Sequence, residues 1–142
     1  MPINNNWIKT GALLAAMAVV LGAFDIQQVG RQYGVQAHLP DVDIGRAILF
    51  QLIHALAIVF VGMLMVIRPG RLLGMAGWSF LLGTLLFSGS LYLVSLTGIL
   101  WILHLKLVGV AVLVLGWILL VEVACPGWNK YRADKEESAP ES

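Results

Sequence analysis

Apolar residues run almost unbroken through four stretches of this chain, roughly 7–24, 47–67, 72–96 and 107–124, and polar residues gather between them. Each stretch is about 18–25 residues long, the length an α-helix needs to cross the hydrocarbon core of a bilayer. The pattern therefore predicts four transmembrane helices within residues 1–124, packed as a compact all-α bundle. Asn4, Asn5 and Asn6 stand as N-cap candidates before the first helix. That helix is long for the apolar part of a signal peptide and no clear cleavage site follows it, so it reads as a retained span. Asp25, Gln27 and Gln28 open a polar outer loop over 25–46. The second helix stops at Arg68-Pro69-Gly70-Arg71, where proline and glycine break one helix and admit the next. The third stops near Thr97-Gly98, and a short link carrying Trp101, His104 and Lys106 leads to the fourth. Residues 125–142, polar and rich in Glu and Lys, read as a disordered tail.

Composition narrows the class. Hydrophobic residues make up 59% of the chain and charged residues 12%, against about 25% charged in soluble domains. A net charge of +1 gives no electrostatic case for nucleic acid. The single cysteine, Cys125, cannot form an internal disulfide. Sequence signatures of the common serine, zinc, dithiol and phosphate-binding enzymes are missing. Ser88-Gly89-Ser90 has no evident base beside it, so the reading is a non-enzyme without cofactor or metal.

Charge also predicts orientation. Four spans place both termini and the Arg68–Arg71 turn on one side, with Lys9, Arg68, Arg71, Lys130, Arg132 and Lys135. Arg31, Arg46 and Lys106 fall on the other side. Lys and Arg concentrate on cytoplasmic faces, so both termini are expected in the cytoplasm. Arg68 and Arg71 read as topology determinants and contacts for anionic lipid. The small-residue pairs Ala12/Ala16, Ala18/Gly22 and Ser79/Gly83 are expected to let helix backbones approach closely.

Polar groups at membrane depth are costly and mark where helices tie together or where a ligand sits. Gln51 and His54 are three residues apart on one helix face. Ser88, Ser90 and Tyr92 on the third helix, with Asp25 and Gln27 at the end of the first, are expected at similar depth in the outer third of the bundle. These residues form the candidate cluster. One reading is interhelical glue, with His54 bonded to Ser88 or Gln51. The other is a small ligand or proton site opening outward, with His54 as the titrating group. Trp78 and Trp117 read as bundle-core or lipid-facing contacts.

Several strings resemble a known family. They are Leu21-Gly22-Ala23-Phe24, Gln51-Leu52-Ile53-His54-Ala55-Leu56-Ala57, the run Leu82–Tyr92 containing Phe87-Ser88-Gly89-Ser90-Leu91-Tyr92, and Gly116-Trp117. Together they look like the small four-helix membrane proteins of domain-of-unknown-function 423, which include a transmembrane-protein-256-like group. The resemblance implies a multi-pass protein of the bacterial cytoplasmic membrane, or less readily of the mitochondrial inner membrane, and implies no activity. The chain departs from the family at Asp25-Ile26-Gln27-Gln28, where Gln27 replaces a histidine, and at Leu105-Lys106-Leu107, where a proline is lost.

The functional expectation is an accessory or assembly subunit packing against another membrane protein. The alternatives are a small homo-oligomeric transporter or channel with an outward-facing site around His54, and a membrane enzyme or haem protein.

Overall fold

The computed structural model describes residues 6–24 and 44–124. Four long helices carry the fold: α1 (Asn6–Ala23), α2 (Ile44–Ile67), α3 (Arg71–Thr97) and α4 (His104–Ala124). A 3-10 turn at Leu100–Leu103 runs directly into α4. All four helical segments are long and apolar enough to cross a membrane, and the protein is a polytopic membrane protein built as a four-helix bundle. Among the described residues there is no β-strand. Asp25, Gln27, most of the segment 25–46 expected as an outer loop, and the tail from Cys125 lie outside the described residues.

Two helix starts differ from the apolar pattern. Helix α2 begins at Ile44 rather than 47, because Ile44 and Ala47 lie three apart and are both buried, while Arg46 turns to the exposed side. The link expected at Trp101, His104 and Lys106 is helical. Trp101 sits in the 3-10 turn, and His104 and Lys106 open α4. No glycine or proline stands between Leu100 and Lys106 to interrupt the backbone, so the polar residues there do not make a loop. The true break is Gly98. Its φ of 72° is left-handed, and its N–H caps Val94 O at 2.8 Å, the glycine geometry that ends many helices.

Helix α3 is central. It has 13 buried residues, against three in α1 and four in α4. It packs on α2 and α4, and α1 packs on α2. The helices meet where side chains are smallest. A Cβ on Gly11 of α1 would lie 2.7 Å from Ala55 O of α2, and one on Gly109 of α4 would lie 2.6 Å from Phe87 N of α3. Gly83 faces Leu113, and Gly116 faces the Phe80 ring, at equally close range. Close backbone approach supplies the dispersion contacts that hold helices together in lipid, where burial of apolar surface gives no net drive.

The pairs expected to mediate this are only partly used. Ser79 and Gly83 are both buried, and Ala18 is buried, but Ala12, Ala16 and Gly22 are exposed. The inward face of α1 is Gly11, Leu14 and Ala18, spaced i, i+3, i+7. Ala12 and Ala16 lie off that stripe.

Candidate functional site

Gln51 and His54 point inward from α2, with 2% and 5% of their surfaces exposed. They do not share partners. The Gln51 amide donates from Nε2 to Leu14 O of α1 at 2.9 Å, and its Oε1 accepts the Tyr92 hydroxyl of α3 at 2.9 Å. One side chain thus joins three helices, using both a donor and an acceptor of the amide. One turn earlier, Ser88 Oγ of α3 donates to Ala47 O of α2 at 2.8 Å. Both backbone acceptors belong to helices, and a carbonyl oxygen has a second lone pair for such a bond.

His54 faces the other flank. Its Nδ1 lies 2.7 Å from Phe50 O one turn earlier on α2, and its Nε2 lies 3.4 Å from Trp117 Nε1 of α4. The indole N–H can only donate, so Nε2 is the acceptor and the Nδ1 proton goes to the carbonyl. The arrangement selects the neutral Nδ1–H tautomer. Three aromatic rings surround the imidazole: Phe50, stacked at 5.8 Å between centroids, Phe80 at 5.9 Å and Trp117 at 6.2 Å. Phe80 and Trp117 themselves meet edge to face at 5.1 Å.

The expected cluster therefore resolves into two nodes. Gln51, Tyr92 and Ser88 tie α1, α2 and α3. His54 ties α2 to α4, and it bonds neither Ser88 nor Gln51 as expected. Ser90 turns back on its own helix and donates to Phe87 O at 2.8 Å. Asp25 and Gln27 lie outside the described residues. His54 is also deeper than expected. With α2 starting at Ile44, it stands about 15 Å along the helix at 1.5 Å per residue, near the middle of the bundle rather than in its outer third. His104, at the α4 start, is exposed and its Nδ1 lies 2.8 Å from Trp101 O. Arg68 and Arg71 flank the α2–α3 turn and are exposed.

Trp117 was the partner missed. Reading it as core or lipid-facing overlooked its N–H, which at membrane depth needs an acceptor as any backbone amide does. A lone mid-span histidine and a mid-span tryptophan on another helix were the available signal. Metal ligation by His54 finds no support in the donor set: among the described residues no three His, Cys, Asp or Glu side chains gather, and Nε2 is already engaged. What the two nodes can do chemically is fix the rotation of four helices about their axes.

These strings and this bundle have relatives. The family model described as protein of unknown function (DUF423) matches residues 22–111. The chain belongs to the DUF423 family. A UPF0382 membrane protein of Staphylococcus aureus is similar, 32% identical over 118 residues, covering 81% of this chain and 91% of the relative. The UPF0382 membrane protein YwdK of Bacillus subtilis is 31% identical over 126 residues, covering 83% of this chain and 94% of its own length. No solved structure matches. The DUF423 match takes in α2, α3 and the start of α4, and with them Gln51, His54, Ser88 and Tyr92.

Proposed function

We propose that this DUF423 protein is a non-enzymatic bundle of the bacterial cytoplasmic membrane that packs against another membrane protein as an accessory or assembly subunit. The observation that carries the reading is on α1. Ala12 and Ala16 form a small-residue pair one turn apart, yet both are exposed while Gly11, Leu14 and Ala18 make the internal contact. Such a pair admits close approach by a further helix. The interior supports the same reading: Gln51, His54, Ser88 and Tyr92 spend their polar atoms on one another, on backbone carbonyls and on Trp117. They act as structural ties, so a transport route would have to break the contacts that hold the helices in register. The Lys and Arg distribution supports a cytoplasmic side for the α2–α3 turn and both termini.

The test is purification of the full chain in mild detergent from native membranes, with mass spectrometry of what accompanies it. Wild-type protein should bring down a membrane protein in fixed ratio. Ala12→Ile with Ala16→Ile, both at exposed positions, should release that partner while the bundle stays folded. Recovery of the chain alone under several mild detergents would sink the proposal.

A further inference from the structure

The end of the bundle at the α2–α3 turn holds a cleft that meets the polar nodes only at Trp117. It lies between the last turns of α2 and α4, with a volume of about 420 Å³, inside the roughly 300–1,000 Å³ span of small-molecule sites. Its walls include Phe60, Leu64, Leu120 and Val121, with the Trp117 ring among them. They are almost wholly apolar. The exception is Arg68, which follows the last residue of α2 and therefore stands where that span leaves the hydrocarbon. Three residues on, the exposed Arg71 opens α3. The described cleft is thus greasy along its depth and cationic at its membrane-surface end.

We infer that this cleft binds an anionic phospholipid, with one acyl chain along the groove between α2 and α4 and the headgroup phosphate on the Arg68 guanidinium. Two features select this occupant over a helix side chain of a partner. The cleft runs from hydrocarbon to headgroup level, which is the dimension of an acyl chain attached to a phosphate. Its single charge sits at the headgroup end, where a guanidinium can take two phosphate oxygens through paired N–H donors. Arg71, close by along the chain, adds to the positive potential that draws anionic headgroups to this face. The bound chain would also cover one side of the Trp117 ring, whose indole N–H is committed to His54.

The test is native mass spectrometry of the full chain released from detergent with added phosphatidylglycerol or phosphatidylcholine of the same acyl chains. The wild type should retain phosphatidylglycerol in preference to phosphatidylcholine. Arg68→Gln should lower phosphatidylglycerol retention by about fivefold and bring it near the phosphatidylcholine level. Val121→Trp fills the groove from an exposed position, with Arg68 intact, and should lower retention of both lipids. Thermal unfolding of each variant in detergent establishes that it is folded; both sites are exposed, so both variants should match the wild type. Equal retention of the two lipids by the wild type would overturn the inference. So would a phosphatidylglycerol preference that survives Arg68→Gln, or one that Val121→Trp leaves intact, since the latter marks surface charge without a groove.

Discussion

Replacing Gln51 by leucine removes the side chain that joins α1, α2 and α3. The wild-type amide makes two interhelical bonds, to Leu14 O and from Tyr92 OH, each at 2.9 Å. Interhelical side-chain bonds in a membrane average about 0.6 kcal/mol, with a maximum near 1.7. Two of them set a loss of about 1.2 kcal/mol as the central figure. The consequences for the two partners differ. Leu14 O still accepts its own helical bond, whereas the half-buried Tyr92 hydroxyl is left without its acceptor, at a cost of about 1 kcal/mol or more. Leucine returns a little packing at a site that is 2% exposed. The net expectation is a destabilisation of roughly 1–3 kcal/mol. Tyr92→Phe removes one bond and strands Gln51 Oε1 but keeps the bond to Leu14 O, so it should cost somewhat less, about 1–2 kcal/mol. The double variant should cost less than the two losses added together, because the bond it removes is counted in both single variants. Reversible unfolding in mixed micelles of mild detergent and dodecyl sulfate, followed by tryptophan fluorescence, measures all four proteins. Strict additivity of the two substitutions, or a Gln51→Leu protein as stable as wild type, would refute the three-helix node.

Gly109→Ala should destabilise the α3–α4 pair by about 1–3 kcal/mol, because its Cβ would meet the Phe87 backbone at 2.6 Å; Gly89→Ala, with open space around it, should be neutral or gain up to about 1 kcal/mol in the same unfolding assay. His54→Leu strands the Trp117 indole N–H and should cost roughly 0.5–2 kcal/mol, whereas His54→Gln keeps an acceptor and should be milder. If His54 is a tie and not a ligand site, the glutamine variant should also keep the partner in the native-membrane purification. Trp117→Phe removes the same interhelical bond as His54→Leu, and the double variant should cost less than the two losses added together. Cysteine substitutions at Asn5 and Asp41 in intact cells check orientation: an impermeant reagent should label position 41 and not position 5, and the opposite pattern reverses the assignment.

Four spans, their approximate limits and the Arg68–Arg71 turn were legible from the chain alone, because the length of an apolar run and the effect of Pro-Gly are local properties. The inward face of α2 was legible too. Gln51 and His54 could be paired on it by spacing alone, and polarity at depth marked them out. What spacing could not say is which helix each one meets. That depends on how far α3 and α4 are rotated and slid past α2, and those offsets are settled by distant contacts: Gly11 on Ala55, Gly83 on Leu113, Gly109 on Phe87. Seated this way, α3 offers Tyr92 to Gln51 and Ser88 to Ala47, and α4 brings Trp117 to His54. Sequence alone marked Ala12/Ala16 as a contact pair. The tertiary structure turned it outward, since a small residue can serve any helix that comes close and only packing decides which one does. The start of α4 illustrates the same division. His104 and Lys106 are polar enough to suggest a link, yet a backbone with no breaker continues as helix, and Gly98, the one position with a left-handed φ among the described residues, ends α3. Local pattern determined what crosses the membrane. Nonlocal packing decided which polar atoms meet inside it.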